Sequence, residues 1–163
     1  MSGFGNLRAE ELSQEYQLKA AFLVNFARFI TWPEQAFPAD RQEFIICVVG
    51  TNPFGSALSG VEVKKISGRT VRVVFVDSYK KIPLCHLLYV SRSEEYNLDN
   101  LNANLGRTAV VTISDIPGFV KAGGSIEFVS KDNRLSFIIH HSAMKQQGVL
   151  ASASLLDLAA SVQ

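Results

Sequence analysis

Large apolar side chains recur every three or four positions along the first part of the chain. Between Glu10 and Ile30 the repeat is made by Leu18, Phe22, Leu23, Phe26 and Phe29. This spacing lines one side of a helix with apolar groups, so it predicts a long amphipathic helix. Trp32-Pro33 ends that helix, because proline lacks the amide hydrogen and disfavours the helical conformation in the residue before it.

Shorter apolar runs follow, and they alternate with helical patterns. Phe44 to Val49 is apolar at every position, which is typical of a strand that helices cover on both faces. Further strands are predicted at Thr70 to Val76, Leu84 to Ser91 and Thr108 to Ile113. Helices are predicted from just after Pro53 to Gly60, from Glu94 to Leu105 and from Pro117 to Ala122. Such an alternation indicates crossover connections and a mostly parallel sheet.

A hairpin is predicted late in the chain. Ser125 to Ser130 and Arg134 to Ile139 have strand patterns, and Lys131-Asp132-Asn133 between them suits a tight turn. Helical segments are predicted at Ala143 to Gln147 and at Ser152 to Val162. The predicted fold is therefore α/β, with a mostly parallel, Rossmann-like sheet flanked by helices and an antiparallel hairpin added late.

The length of 163 residues suits one domain with one core. We expect residues 10–163 to form that single domain, and residues 1–9 to be disordered or an addition to the natural chain. Sixteen basic and fifteen acidic residues give a net charge of +1. This charge is too small to attract nucleic acid, so nucleic-acid binding is not expected. The longest apolar runs are far shorter than the roughly 20 residues of a membrane span, so membrane insertion is not expected.

The segment Gly50-Thr51-Asn52-Pro53-Phe54-Gly55 stands between a predicted strand and helix, where α/β sheets bind phosphate. Its glycines have the spacing of a P-loop, but Ser56-Ala57 follow instead of the required lysine and hydroxyl. A rigid turn is the favoured interpretation.

Other candidate chemistry is equally incomplete. Cys85 and His86 are neighbours in a predicted strand, so their side chains point to opposite faces and cannot act as nucleophile and base. His140-His141 have no cysteine or carboxylate at ligand spacing, so no metal site is predicted. The acidic residues are scattered, and Glu127 in the hairpin is expected to be solvated. Neither catalytic residues nor cofactors are predicted, and the chain is not expected to be an enzyme.

Cys47 and Cys85 lie in two apolar strands. From the residues alone, a disulfide and a pair of buried free thiols are equally good interpretations.

In order and spacing, several short motifs resemble those of the YfiR family of bacterial periplasmic proteins over nearly the whole chain after Glu15. The motifs are Lys19-Ala20-Ala21-Phe22-Leu23-Val24-Asn25-Phe26-Ala27-Arg28-Phe29 with Trp32-Pro33, Cys47-Val48-Val49-Gly50 with Pro53-Phe54-Gly55, Gly68-Arg69, Cys85-His86, Thr112-Ile113-Ser114-Asp115, Gly123-Gly124 and Ser154-Leu155-Leu156. The resemblance implies an exported protein that binds and represses the periplasmic sensor region of an inner-membrane diguanylate cyclase. It would thereby control cyclic di-GMP and biofilm formation, and the natural gene would encode a signal peptide.

The resemblance also implies that Cys47 and Cys85 form a disulfide in the periplasm, which makes redox sensitivity an expectation. The sequence departs from the family pattern at His140-His141, where an asparagine is usual, and it lacks a second cysteine pair. Phe29, Trp32 and Phe54 are the candidate apolar anchors for the partner, and a homodimer is a further candidate assembly. Aromatic residues at helical spacing are more often core residues, which is the alternative for all three, but a tryptophan at a helix end beside proline is more often partly exposed and suited to an interface.

A periplasmic small-ligand receptor is the alternative function. Its pocket would lie at the carboxyl ends of the strands, near residues 50–55 and 112–115. The candidate pocket residues are Gly50, Asn52, Asp115 and His140.

Overall fold

An eight-stranded, mostly parallel sheet organises the protein in the computed structural model, which describes residues 3–163 and the side chains from residue 8 onward. The strands are β1 (Ile30–Thr31), β2 (Phe44–Val49), β3 (Lys65–Ile66), β4 (Arg69–Val76), β5 (Leu87–Val90), β6 (Val111–Ser114), β7 (Ile126–Lys131), β8 (Arg134–Ile139), β9 (Leu150–Ala151) and β10 (Ser161–Val162). The helices are α1 (Gly3–Phe29), α2 (Leu98–Leu105), α3 (His141–Gln146) and α4 (Ala153–Leu158). Four 3-10 helices span Glu34–Ala36, Val61–Val63, Tyr79–Lys81 and Arg92–Asn97.

The large sheet has the strand order β10-β8-β7-β6-β5-β2-β4-β3. Neighbouring strands are parallel except in the β7–β8 and β3–β4 pairs, which are antiparallel. This confirms the predicted fold class, including the late hairpin. A second, two-stranded sheet pairs β1 with β9, so the residues after α1 are tied to the chain near its end.

Apolar layers cover both faces of the large sheet. On one face α1 packs against the hairpin, where Phe26 lies 5.0 Å from Phe137 and 5.9 Å from Phe128 between ring centroids. On the other face, Cys47 and Leu88 pack with Leu101 of α2 and with Phe119. Since both faces are covered, β2 is buried at every position, as its continuous apolar run predicts.

The helical predictions are less accurate than those for the strands. α1 begins at Gly3 rather than at Glu10, and residues 1 and 2 lie outside the described part, so the proposed boundary at residue 9 stays a prediction. The segment predicted as a helix from Pro53 to Gly60 consists of turns. There Gly55 has φ +57°, which a right-handed helix does not allow, and the Asn52 side chain accepts a 2.9 Å hydrogen bond from the Phe54 amide.

Residues 117–123 are also turns and not the predicted short helix. Gly118 has φ +79°, which a helix does not allow. Its amide and that of Val120 donate to the carboxylate of Glu127, at 3.2 and 3.0 Å. Glu127 is therefore buried, at 8 % exposure, and the expectation that it is solvated is wrong.

Two other helices are shorter than predicted. The stretch from Glu94 to Leu105 is 3-10 helix up to Asn97 and α-helix only from Leu98. The last predicted helix, from Ser152, ends at Leu158, and the chain then adds β10 beside β8.

Candidate functional site

The disulfide between Cys47 and Cys85 joins two adjacent strands of the sheet. Cys47 lies in the middle of β2, and Cys85 comes two residues before β5. The S–S distance is 1.99 Å, and the two Cα atoms are 5.9 Å apart. Both side chains face the α2 side of the sheet, which is the face away from α1.

A cluster of charged and phenolic groups surrounds Asp115, at the carboxyl end of β6. The ammonium group of Lys19 donates to Oδ2 of Asp115 at 2.7 Å, and the hydroxyl of Tyr16 donates to the same oxygen at 2.7 Å. Arg92, which follows β5, donates from Nε to Oδ1 at 3.1 Å and from Nη2 to the main-chain oxygen of Asp115 at 3.3 Å. Helix α1 is thus fixed to the sheet by a buried ion pair.

The surroundings of Asp115 decide its charge. Burial would raise the pKa of its carboxyl group, but the hydrogen bonds from Lys19 and Tyr16, the charge of Lys19 and the hydrogen bond from Arg92 outweigh burial and lower it. The pKa of Arg92 is raised, chiefly by its hydrogen bond to Asp115. Burial and the hydrogen bond to Asp115 raise the pKa of Tyr16, and burial raises that of Tyr89. The cluster therefore holds an ionised aspartate beside two cations and two neutral phenols.

A cleft of about 410 Å³ opens beside this cluster, and we call it the Asp115 cleft. It lies between α1, the loops after β5 and β6, and the β7–β8 hairpin. Its charged and polar lining consists of Glu15, Lys19, Arg92, Asp115, Ser130, Asn133 and Arg134. Its apolar lining consists of Leu18, Phe128, Val129 and Leu135. An edge formed by the carboxyl ends of parallel strands is where α/β proteins usually bind ligands.

The four predicted pocket residues do not come together. Of these four, only Asp115 lines the Asp115 cleft. Gly50 directly follows β2, with φ +94°, and lies beside Ser93, and the Asn52 side chain accepts a hydrogen bond from the Phe54 amide. The His140 amide donates a hydrogen bond to the main-chain oxygen of Ser125, the residue before β7. His140 therefore lies at the amino end of β7, away from the Asp115 cleft.

The three candidate anchors differ in exposure. Phe29 is 46 % exposed at the end of α1. Trp32 is only 8 % exposed and packs against Phe44, so the expectation of a partly exposed tryptophan is wrong. Phe54 is 4 % exposed and packs against Tyr16 and Tyr89. A role for these residues in partner binding stays a prediction, and Phe29 is the one that the surface presents.

Phe29 belongs to a small exposed surface where α1 ends. The Ser152 amide donates to the Phe29 main-chain oxygen at 2.9 Å, and Thr31 pairs with Leu150 in the two-stranded sheet. Arg28, Phe29, Thr31 and Leu150 are all exposed, and we call them the helix-exit surface. Ile30, between Phe29 and Thr31, is 4 % exposed and points into the core.

Residues 16–160 match the model of the family described as YfiR/HmsC-like. The chain belongs to the YfiR/HmsC-like family. The curated proteins include no match to it. The solved structures similar to it include a conserved domain protein from Vibrio cholerae O1 biovar El Tor strain N16961, with 13 % identity and a TM-score of 0.49. That alignment covers 73 % of this chain and 54 % of the Vibrio chain, so the chain spans about half the length of that protein.

The family match places several features of this YfiR/HmsC-like chain within one matched region. The disulfide, the ion pair of Lys19 with Asp115, and the helix-exit surface all lie between residues 16 and 160. In the part of the chain from residue 3 onward, no three histidine, cysteine, aspartate or glutamate side chains are arranged to hold a metal ion.

Sequence reasoning missed Tyr16, Lys19 and Arg92 of this YfiR/HmsC-like protein. One signal for Lys19 was available, because it precedes Leu23 by four residues and Phe26 by seven, and so lies on the apolar side of α1. A lysine in that position is 3 % exposed here and requires a buried anion. Tyr16 precedes Lys19 by three residues and lies on the same side of α1, but a tyrosine there does not indicate a polar partner, and Arg92 carried no such signal.

Proposed function

We propose that this protein is a periplasmic regulator that binds and represses the periplasmic sensor region of an inner-membrane diguanylate cyclase. In this role it would limit cyclic di-GMP and biofilm formation without catalysing a reaction itself. The observation that carries the proposal is membership of the YfiR/HmsC-like family, whose model matches residues 16–160.

The disulfide supports a location outside the cytoplasm, because disulfides persist in oxidising compartments and are rare in the cytosol. Among the helices of residues 3–163, none is long and apolar enough to cross a bilayer.

The helix-exit surface is the contact that we propose for the cyclase. It offers two large apolar side chains, Phe29 at 46 % exposure and Leu150 at 52 %. Main-chain hydrogen bonds between β1 and β9, and from Ser152 to Phe29, hold the backbone on both sides of this surface. An exposed aromatic on a fixed backbone loses little conformational entropy on binding, so it makes a good anchor.

The test is the substitution Phe29→Ala, with binding measured against the purified periplasmic region of each membrane-bound cyclase of the same organism. Truncating an anchor of this kind costs about 2 kcal/mol of binding energy, which corresponds to a roughly thirtyfold weaker complex. In cells, the same variant should raise cyclic di-GMP.

Phe75→Ala is the matched control, because Phe75 is a phenylalanine of similar exposure, 52 %, near the carboxyl end of β4 and outside the helix-exit surface. It should leave both binding and cyclic di-GMP unchanged. Melting temperatures close to that of the wild type would show that both variants are folded, so that a loss of binding reflects the lost contact. A wild-type protein with no affinity for any of these cyclase regions would overturn the proposed function, and equal losses in the two variants would move the contact elsewhere.

A further inference from the structure

The Asp115 cleft has an apolar wall in which Leu18 is exposed, whereas Phe128, at 5 % exposure, is largely covered by the protein itself. Leu18 of α1 is 48 % exposed and lines the cleft together with Phe128 and Leu135. Covering an exposed leucine in a concave surface removes apolar area from water, which stabilises the complex with a ligand.

The negative charges that line the cleft have partners within the protein, whereas one positive charge has none in the described part of the chain. Both carboxylates are already paired within the protein, Asp115 with Lys19 and Arg92, and Glu15 with Lys19 at 3.5 Å. Arg134, on the opposite wall, has no carboxylate within 4.0 Å among the residues with described side chains. The unsatisfied charge that lines the cleft is therefore positive.

Arg92 is held in place for an incoming anion. Its Nε and Nη2 atoms are bonded to Asp115, whereas Nη1 makes no hydrogen bond within the described side chains. The guanidinium plane is thus fixed on one edge, while its side chain remains 64 % exposed. A fixed guanidinium loses little rotational freedom when it binds a carboxylate.

We propose that the Asp115 cleft binds a small amphipathic carboxylate. Its carboxylate group lies between Arg92 and Arg134, and its apolar body covers Leu18, Phe128 and Leu135. Ser130 and Asn133, on the hairpin beside Arg134, supply further hydrogen-bonding groups. A volume of about 410 Å³ lies within the usual range for a small-molecule site. This inference does not depend on the proposed cyclase partner.

Phenylacetate and hexanoate are suitable probes, because each combines one carboxylate with a short aromatic or aliphatic body. Isothermal titration calorimetry on the full chain should give dissociation constants on the order of a millimolar, as expected for ligands of about ten non-hydrogen atoms. The neutral analogue 2-phenylethanol lacks the carboxylate, and inorganic phosphate lacks the apolar body. Each should therefore bind at least tenfold more weakly than phenylacetate.

Two variants locate the site. Arg134→Gln removes the unpaired cation and should weaken phenylacetate binding roughly tenfold or more, as the loss of a charge-assisted hydrogen bond implies. Leu18→Glu puts a carboxylate into the apolar wall and should abolish binding. Arg41→Gln, at an exposed arginine outside the cleft, is the control and should bind as the wild type does.

Melting curves with all three variants show whether each one is folded. The proposal fails if neither acid binds at tens of millimolar. It also fails if Arg134→Gln and Leu18→Glu bind phenylacetate as well as Arg41→Gln does. Equal affinity for phosphate and phenylacetate would overturn the amphipathic ligand, because a simple anion site would then account for the binding.

Discussion

Asp115 keeps its charge at 6 % exposure because three side chains donate hydrogen bonds to it. Its principal partner, Lys19, is itself 3 % exposed, so each ion depends on the other for its solvation. The energetic importance of the pair is therefore clearest when one partner is removed.

Asp115→Asn should destabilise the protein by about 3 to 5 kcal/mol, because it leaves the ammonium of Lys19 buried without a full counter-charge. Urea unfolding measures this loss directly. Asp40→Asn, at an exposed loop aspartate, should change stability by less than about 0.5 kcal/mol. Equal stabilities of the two variants would mean that the Lys19 ammonium is solvated in another way.

The same residue predicts a pH dependence. The pKa of Asp115 is lower in the folded protein than its ordinary value of 3.8, so the unfolded chain binds this proton more tightly. The stabilisation is fully present above that ordinary value and is lost as the pH falls through the lower, folded-state pKa. The wild type should therefore lose more stability below about pH 4 than Asp115→Asn does. Parallel acid titrations of the two proteins would contradict this.

Asp115 could be predicted as a site residue because it follows an apolar strand of a parallel sheet. The position of Lys19 on the apolar side of α1 was visible in the sequence, but its pairing and that of Tyr16 with Asp115 were not, since 96 and 99 positions separate them from it. Only the packing of α1 against the ends of β5 and β6 brings them together. His140 was wrongly grouped with Asp115 because β8 runs antiparallel, which takes its end to the opposite edge.

At the scale of elements, strands were easier to predict than helices. The strand signal lies within each run of buried residues, as in β2, where every position is buried. The two-residue strands β1, β9 and β10 carry no such signal, because they pair with distant parts of the chain, and β3, which pairs with the neighbouring β4, is too short to show one. The turns at residues 54–60 and 117–123 contain Gly55 and Gly118, whose φ angles of +57° and +79° do not occur in a right-handed helix.

The close packing of the second turn leads to a prediction about Gly124. A Cβ atom at this position would overlap with Cε2 of Phe119, a residue that is 1 % exposed. Gly124→Ala should therefore lower the free energy of unfolding by about 1 to 3 kcal/mol, the usual cost of overpacking a core.

Gly60→Ala is the matched control for that substitution. A Cβ at Gly60 has nothing within 4 Å, and its φ of −80° suits any residue. This variant should be neutral or more stable by up to about 1 kcal/mol, because alanine restricts the unfolded chain. Denaturant unfolding of both variants separates steric overlap from the general effect of replacing glycine, and a neutral Gly124→Ala would contradict the packing described for Phe119.

For the molecule as a whole, the disulfide is the one covalent constraint on the fold within the described chain. The chain-entropy estimate for a loop of this length is about 4 kcal/mol. The double variant Cys47→Ala, Cys85→Ala should therefore melt roughly 10 °C below the wild type.

Reducing agent provides an independent check on that double variant. It should lower the melting temperature of the wild type and leave the variant unchanged. Thiol titration of the unreduced, denatured wild type should find no free thiol. A protein purified from the periplasm with two reactive thiols would contradict the proposed oxidised state.

The bridge between β2 and β5 also encloses every residue from 48 to 84, including β3, β4 and the exposed pair Lys64 and Lys65. Trypsin cutting after either lysine would break the main chain without releasing a piece, because the fragments on both sides remain joined through sulfur. A nicked molecule would migrate as one band on a non-reducing gel and as two after reduction. Outside the cytoplasm, where proteases act on exposed loops, a single cleavage at this position would leave the protein in one piece.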